Sequence, residues 1–246
     1  MAEQEKWQKQ AGILKQLLNL DNSPVGISCV KAEPAYQPQD KARICRGFLD
    51  AARGKSVKID RKNNACFGAA WHLGFLKIDN PRVMGMIKKF VVEGEKLFSS
   101  YQALDKLISQ MEPVPDNSDN AFLLCPLEKC ENEPDLVLFV LNAHQACRLL
   151  TLATFTDGVM PRIKIGGPTC RMIVMYPLAS NEVNISFYDY TARKMCGVEA
   201  DKLLVSIPYK KMPQIIQGID KCTAGRAKLE YPQEFREFLQ RRLVNK

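Results

Sequence analysis

The stretch LVLFVLNAHQACRLLTLATF, residues 136–155, decides the fold class of this chain. Its first six residues form a short apolar run, which is typical of a strand buried within a sheet. Apolar residues then recur at helical spacing from Ala143 to Phe155, and Asp157-Gly158 ends that helix. A buried strand that leads directly into a helix predicts a mixed sheet covered by helices.

An earlier part of the chain has a similar order of segments. Residues 24–30 alternate as a strand does, a proline-rich insertion follows, and residues 41–54 place apolar side chains at helical spacing. Residues 57–59 predict a short strand, and Cys66 opens an apolar helical segment. The predicted order is therefore strand, helix, strand, helix.

The sequence after residue 155 completes a second copy of that order. Ile163 and Ile165 alternate with charged residues and predict a short strand. The loop at residues 166–169 then breaks the chain, and Cys170 opens the next apolar segment. Both copies thus end in a segment that begins with a cysteine.

The two copies carry cysteines at corresponding positions. The matching positions are Cys45-Arg46 with Cys147-Arg148, and Cys66 with Cys170. We therefore predict an α+β (mixed α/β) fold in which a sheet is covered by helices. Two related strand-helix-strand-helix units, residues 23–77 and 134–178, would share one core. A helical segment at residues 80–111 would join them within a single domain, residues 1–246.

Composition limits the class of protein. With 246 residues, 46% of them hydrophobic, the chain can bury a sizeable core. Its net charge of +8 suggests nucleic acid, but acidic residues interleave with the basic ones and no nucleic-acid-binding motif is present. Residues 1–10 are too polar for a signal peptide, and no apolar run could cross a membrane. We expect a cytoplasmic protein without nucleic-acid or membrane partners. Residues 13–20 predict an amphipathic helix that docks on the core.

Two of the nine cysteines have the position of reactive thiols. Cys66 and Cys170 each follow a turn and begin a predicted helix, with Asn64 and Thr169 as candidate caps. Unpaired amides and the positive helix end stabilise a thiolate there, which predicts a lowered thiol pKa. A thiolate can bind a metal or attack an electrophile.

Cys45 and Cys147 lie in the apolar stripes of predicted helices, where burial alone also explains a cysteine. Arg46 and Arg148 follow them and could balance the charge of a thiolate site. His144 precedes Cys147 by three residues, on the same helical face, and could be a ligand or donate a hydrogen bond to one.

The remaining motifs are weak. Cys125 and Cys130 are separated by four residues, a spacing used in some cluster-binding loops. No Cys-x-x-Cys pair, Walker loop, dinucleotide-binding fingerprint or Gly-x-Ser-x-Gly elbow is present, so common cofactor and hydrolase classes are disfavoured. For Cys29, Cys196 and Cys222 simple packing is the favoured interpretation.

Several blocks of the sequence resemble the archaeal and bacterial family called domain of unknown function 169. The blocks are Ser23-Pro24-Val25-Gly26-Ile27, Cys45-Arg46-Gly47, Ala51-Ala52-Arg53-Gly54-Lys55, residues 65–70, Leu73-Gly74, residues 94–98, Pro126-Leu127, residues 133–139, residues 142–150 and Cys170. The resemblance covers nearly the whole chain. It implies a cytoplasmic protein with recurring cysteines at Cys45, Cys66 and Cys170, and it implies no particular reaction.

The resemblance also implies a segment like Gly-Cys-x-Gly-x-Arg in the C-terminal third. Here the corresponding residues are 187–193, in which Arg193 is retained and Asp189 stands in place of the cysteine. A metal cluster would then need Asp189, Cys147 or Cys125 as a further ligand.

The leading hypothesis is a metal-thiolate module that holds an iron–sulfur cluster, four-iron rather than two-iron, with zinc as the other metal considered. The predicted metal ligands are Cys45, Cys66, Cys147 and Cys170, with Arg46, Arg148 and His144 around the cofactor. Its role would be electron transfer or redox sensing, with a redox partner protein. Two alternatives stay open: a metal-free protein that binds a small anion at helix N-termini, and an enzyme with a thiol nucleophile. A homodimer through a sheet edge is also compatible.

Overall fold

The structure is a computed structural model that describes residues 3–32 and 40–244. The predicted proline-rich insertion falls mainly at residues 33–39, which lie outside the described residues. The described chain folds into one sheet with helices on both faces. This confirms the predicted α+β class.

All strands lie in a single six-stranded antiparallel sheet. They are β1 (Val25–Lys31), β2 (Val57–Asp60), β3 (Asn120–Pro126), β4 (Leu136–Leu141), β5 (Asn184–Ser186) and β6 (Leu203–Pro208). Their order is β2-β3-β1-β4-β6-β5, with Gly26 opposite Val137 where β1 and β4 meet. The order is symmetric about this central pair, since each half has an inner, a middle and an edge strand.

Helices of different lengths surround the sheet. The α-helices of the described chain are α1 (Glu3–Leu18), α2 (Ile44–Ala52), α3 (Phe67–His72), α4 (Pro81–Lys89), α5 (Tyr101–Ser109), α6 (Ala143–Thr154), α7 (Tyr176–Ser180), α8 (Tyr190–Cys196), α9 (Met212–Gly218) and α10 (Gln233–Val244). π-helical turns lie at Phe90–Gly94 and Arg171–Met175, and 3₁₀ turns lie at Leu127–Lys129 and Tyr209–Lys211. Among the described helices, none has the length and apolarity that crossing a bilayer requires.

The two faces of the sheet are covered by different helices. Val25 of β1 and Leu138 of β4 share a core with α2, α3, α8 and the π-helical turn 171–175, and we call this side the cysteine face. Val137 and Phe139 of β4 share a second core with α1, α6 and α9, and we call this side the N-terminal face. Adjacent residues of β4 serve opposite cores because successive side chains of a strand point to opposite sides.

The N-terminal face is built from segments with clear helical patterns. Leu14, Leu17 and Leu18 of α1 are buried in its core, as the predicted docking helix requires. α6 begins with a capping box in which the side chains of Asn142 and Gln145 each accept a hydrogen bond from the other's amide, both at 2.9 Å. Both helices thus bury an apolar stripe against the sheet.

One predicted strand does not form. Ile163 and Ile165 lie in an irregular segment, and Ile165 is 51% exposed. The side chain of Asn184 holds this segment instead, since Lys164 N donates to Asn184 Oδ1 at 2.8 Å and Asn184 Nδ2 donates to Lys164 O at 2.9 Å. β5, which begins at Asn184, occupies the edge of the sheet. The second strand predicted within residues 134–178 is therefore wrong, and duplication of the two units stays a prediction.

Candidate functional site

The starts of α2 and α3 are held side by side on the cysteine face. The amide of Ala42 donates to Asn63 O at 3.0 Å, and the carbonyl of Ala42 accepts from Ala65 N at 2.8 Å. Cys45 is the second residue of α2, and Cys66 is the N-cap of α3. This bridge brings the two cysteines to adjacent helix starts.

The turn before α3 fixes the position of the Cys66 sulfur. Cys66 Sγ caps the helix by accepting a hydrogen bond from Ala69 N at 3.4 Å. Asn64, the cap expected from the sequence, brackets Cys66 instead: its Oδ1 accepts from Cys66 N at 3.2 Å and its Nδ2 donates to Cys66 O at 2.7 Å. Cys66 is half-buried, so its sulfur lies between the solvent and the core.

Asp189 joins the starts of two further helical segments. Its Oδ2 accepts from Thr169 N at 3.0 Å and from Thr169 Oγ1 at 2.7 Å. Its Oδ1 accepts from Ala192 N at 2.8 Å, which makes Asp189 the N-cap of α8. Cys170 follows Thr169 directly and is 5% exposed. A carboxylate is thereby held close to a buried thiol.

Packing between helices places the pair Cys45 and Cys66 on the same face of the sheet as the pair Cys170 and Asp189. α2 packs against α8, where Arg46 NH1 donates to Cys196 O at 3.3 Å. α3 packs against the turn 171–175, where Arg171 NH1 lies 3.4 Å from His72 Nδ1. The starts of α2 and of the turn 171–175 therefore lie beside the last residues of α8 and α3 on the cysteine face.

We call Cys45, Cys66, Cys170 and Asp189 the thiol cluster. Its three cysteines lie in, or pack against, one hydrophobic core. Burial raises the pKa of Cys45 well above its ordinary value, and the neighbouring Cys170 and Asp189 raise it further. Burial, followed by Cys66 and Asp189, likewise raises the pKa of Cys170. Cys196 also raises the pKa of Cys45, so the electrostatic influence extends to a fourth thiol beside the thiol cluster.

The lowered pKa predicted for Cys170 is wrong. The amides of Cys170 and Arg171 do lower its pKa, but desolvation in the core has the larger effect. Cys45 and Cys170 are therefore neutral thiols at pH 7 in the free protein. Coordination to a metal deprotonates a thiol outright, so a bound cation would change this state.

A hydroxyl group without a hydrogen-bond partner lies near the thiol cluster. Tyr188 is 2% exposed, and within the described chain its Oη is unpaired. Burial raises its pKa, and Cys45 and Cys196 add to the rise, so the phenol keeps its proton. Buried donors are normally satisfied, and a thiolate or sulfide acceptor would satisfy this one.

Two arginines act on Cys196 beside the thiol cluster, and one of them, Arg46, also forms an ion pair with Asp50. Arg43 and Arg46 oppose the effect of burial on Cys196 by lowering its pKa. His72 stays neutral because burial and then Arg171 lower its pKa to about 3. The guanidinium groups of Arg43, Arg46 and Arg171 could balance part of the negative charge that several thiolates would carry.

Three predicted site residues do not join this cluster. Cys147, Arg148 and His144 all lie on α6, which packs on the N-terminal face. Cys147 and His144 are exposed, and Arg148 donates to the backbone carbonyls of Leu17 and Ala224. Because α6 follows β4 to the other side of the sheet, the predicted convergence with Cys45, Cys66 and Cys170 does not occur.

The sheet indicates a different correspondence between the halves. α2 precedes the edge strand β2, and the turn 171–175 with α7 precedes the edge strand β5. Cys45-Arg46 thus occupies the place of Cys170-Arg171, and Cys66 occupies that of Asp189, since each of these two caps the helix after an edge strand. The sequence carries a signal for this correspondence, because Cys-Arg occurs at both Cys45-Arg46 and Cys170-Arg171. The same dipeptide also occurs at Cys147-Arg148, and the order of the predicted segments favoured that copy instead.

The donor groups of the thiol cluster can be tested against a metal. Within residues 3–32 and 40–244, no group of three or more His, Cys, Asp or Glu side chains could hold a metal ion as it stands. A zinc ion with bonds of about 2.3 Å draws its sulfur ligands to within about 4 Å of one another. A polynuclear cluster places iron and sulfide between its ligands and spans a wider space. The side chains of the thiol cluster therefore do not form a single-ion site as they stand.

Two hollows adjoin the site. A cavity of about 140 Å³ is lined by Arg171, Glu112 and Tyr176 among others. A shallower and more open depression lies beside the α3 cap and is lined by Lys41, Arg61, Asn64, Ala65, Phe67, Ala70 and Leu76. The second hollow reaches the surface next to Cys66, so the thiol cluster lies near a basic part of the protein surface.

Comparison with known proteins gives one match. The family model described as DUF169, uncharacterised ArCR, matches residues 13–218. No curated protein and no solved structure matches the chain. The matched range includes every residue of the thiol cluster.

Proposed function

Since this chain belongs to the DUF169 family, whose description assigns no reaction, we propose from its own site that it is a cytoplasmic metal-thiolate module holding an iron–sulfur cluster. The observation that supports the proposal is that Cys45, Cys66 and Cys170 lie in or against one core, with the Asp189 carboxylate bonded to Thr169 next to Cys170. Such a cluster supplies one-electron chemistry, so the role is electron transfer or redox sensing.

The ligand set favours iron and sulfide over other metals. Thiolates are soft ligands that suit iron–sulfur clusters and zinc, whereas calcium and magnesium need an oxygen-rich site. Cys45, Cys66 and Cys170 would be the three thiolate ligands, and Asp189 would supply the fourth by its carboxylate. Four ligands match the number that a four-iron cluster takes.

A bound cation would change the protonation state of the site. Two of the thiols are neutral in the free protein because burial and their neighbours raise their pKa values. A metal cluster would replace those protons, and Arg43 and Arg46 would offset the remaining negative charge. Tyr188 would donate its unpaired hydroxyl to a thiolate or sulfide.

The same observations weaken the two alternatives. A thiol nucleophile needs a low pKa, and the pKa of Cys170 is raised. An anion site needs free amides, but the helix starts use theirs to bind Cys66 Sγ and the Asp189 carboxylate. These observations count against an anion site and a Cys170 nucleophile, and a nucleophilic Cys66 stays the alternative to the metal-thiolate function.

The surface near Cys66 suggests the chemistry of a redox partner. Lys41 and Arg61 are exposed beside the half-buried Cys66, and Phe67 is 49% exposed next to it. A partner with an acidic surface would be attracted there, and an electron would have a short path to the cluster. We propose an acidic redox protein as the partner of this site.

The test is anaerobic reconstitution of the full chain with iron and sulfide, comparing wild type with Cys45→Ser, Cys66→Ser, Cys170→Ser and the control Cys147→Ser. Wild type and the control should take up equal iron and sulfide with thiolate-to-iron absorption, and the other three should lose most of it. Circular dichroism confirms that each variant is folded. Equal uptake by all five proteins, or no uptake by wild type, would overturn the proposal.

A second comparison identifies the fourth ligand. Asp189→Asn keeps an N-cap for α8 but replaces the charged carboxylate, whereas Cys196→Ser changes the other nearby thiol. We expect Asp189→Asn to lose one iron per chain or to lose the cluster faster, and Cys196→Ser to behave as wild type. The reverse result would show Cys196 to be the fourth ligand.

A further inference from the structure

A second pair of cysteines lies on the opposite face of the sheet. Cys125 in β3 and Cys130 after the 3₁₀ turn Leu127–Lys129 are free thiols with their Sγ atoms 2.9 Å apart. They pack in or against the core of the N-terminal face, whereas the thiol cluster belongs to the other core. No role in the metal site therefore explains why these two sulfurs meet.

The structure contains a niche for this pair. Gly26 of β1 is the register partner of Cys125. A Cβ atom at Gly26 would lie 2.3 Å from Cys130 Sγ, which is closer than side-chain atoms approach. Only glycine at this position leaves room for the Cys130 sulfur to sit beside Cys125.

The 3₁₀ turn between the two cysteines is anchored at several points. The amide of Leu127 donates to Pro24 O at 2.8 Å, and Cys130 N donates to Leu127 O at 3.3 Å. Glu128 Oε1 accepts from Ser23 Oγ at 2.7 Å. Leu127 itself is fully buried against the core that contains α1. These bonds fix the approach of the two sulfurs as part of the fold.

We propose that Cys125 and Cys130 form a reversible dithiol–disulfide site that a low-molecular-weight disulfide oxidises and a dithiol reduces. A disulfide bond is about 2.05 Å long, so the sulfur atoms need to move by less than about 1 Å. The turn already supplies the geometry, and the half-buried Cys125 is the sulfur that a reagent reaches first.

The exchange balances in two steps. The Cys125 thiolate attacks one sulfur of the added disulfide, breaks its S–S bond and releases one thiolate. Cys130 Sγ gives up its proton to the solvent and attacks Cys125 Sγ, which expels the second thiolate. The protein loses two electrons, and the added disulfide gains them and becomes two thiols by taking up two protons.

The acid–base properties of the pair fit this order. The hydrogen bond between the two sulfurs lowers the pKa of Cys125 and is the largest of the effects that raise the pKa of Cys130. Cys125 is therefore the first of the two to become a thiolate. Oxidation would lock the turn Leu127–Lys129, against which α1 packs.

The test is incubation of the folded full chain with oxidised glutathione, followed by blocking of free thiols and tryptic digestion without reduction. Trypsin cuts after Lys129 and so separates Cys125, in residues 107–129, from Cys130, in residues 130–148. We expect these peptides to be joined in most wild-type molecules and to separate after treatment with dithiothreitol. Fragmentation distinguishes Cys130 from Cys147 in the joined product.

Matched variants complete the test. Cys125→Ser should lose the joined peptides completely, while Cys29→Ser, which changes a half-buried cysteine on a neighbouring strand, should keep them. The proposal is overturned if native wild type forms no joined peptides, or forms them only in denaturant. It is also overturned if glutathione stays attached to Cys125 without ring closure.

Discussion

The two faces of the sheet bury their helices by different means. The N-terminal face is covered by α1 and α6, which are 16 and 12 residues long, together with the seven-residue α9, and its core is mainly aliphatic and aromatic. The cysteine face is covered by α2, α3 and α8, of nine, six and seven residues. Short helices contribute little stability by themselves.

The cysteine face also buries more polar and ionisable side chains. His72, Thr169, Arg171 and Asn184 are all buried there, as are two thiols with raised pKa values. Burying such groups costs stability unless every one is satisfied. The contrast teaches that the N-terminal face is stabilised mainly by apolar packing, while the cysteine face holds the buried ionisable groups from which the proposed site is argued.

The largest expected difference between the faces is in the free energy of unfolding that is lost when a buried side chain is shortened to alanine. Leu14→Ala removes a fully buried side chain of α1 and should lower the free energy of unfolding by about 2–5 kcal/mol. Cys45→Ala in the metal-free protein should cost only about 1 kcal/mol, because the side chain is small. Urea denaturation of both variants measures the difference. Equal losses would show that the two faces contribute alike.

The next difference lies in the dependence of stability on pH. The pKa of His72 falls from 6.5 to about 3 on folding, so between these values the unfolded chain binds more protons. Stability should therefore fall as the pH decreases through this window, by at most about 1.4 kcal/mol per pH unit from this group. The substitution His72→Asn keeps a hydrogen-bond acceptor close to the position of the His72 Nδ1 atom. We expect it to reduce the dependence of the free energy of unfolding on pH.

The control for this effect is His144→Asn on the exposed surface of α6. Because the chain has only two histidines, comparing the two variants separates the buried imidazole from the exposed one. Denaturant titrations at several pH values between 4 and 7 give the slopes. A wild-type slope in His72→Asn, or a reduced slope in His144→Asn, would refute the assignment.

Hydroxyl removal should have opposite effects on the two faces. Tyr188→Phe removes an unpaired buried hydroxyl and should leave the metal-free protein unchanged or up to about 1 kcal/mol more stable. Tyr209→Phe on the N-terminal face breaks a 3.0 Å hydrogen bond to Gln10 Oε1 and should cost about 1 kcal/mol. Thermal unfolding of both variants tests this, and a loss in Tyr188→Phe would mean that its hydroxyl is already paired.

The smallest effect is expected at the cysteine that the sequence assigned to the site. Cys147→Ser changes an exposed residue of α6, so its free energy of unfolding should stay within about 0.5 kcal/mol of wild type. Urea denaturation measures this. A larger loss would show that Cys147 has a contact important for the fold.

The N-terminal face was the easier one to predict. A continuous apolar run marks β4, and helical periodicity marks α1 and α6, because each buries a full stripe. β3 and β6 were missed although they are as long as β1 and β4, since their pairing depends on strands that are distant in sequence.

The site itself was predicted only in part. Cys45, Cys66 and Cys170 lie in or against one core, whereas Cys147, which was selected because it also precedes an arginine, lies on α6 of the other face. A Cys-Arg dipeptide does not indicate which face of a sheet its helix will cover. The structural partner of Cys66 is a carboxylate, Asp189, more than a hundred residues away, and the sequence pattern considered it only as a substitute ligand.

The most direct test of the central claim is the determination of iron and acid-labile sulfide in the wild-type chain, purified and reconstituted without oxygen. The account predicts iron and sulfide in equal amounts, at about four of each per chain. A protein that retains neither, or that binds a single zinc ion, would contradict it.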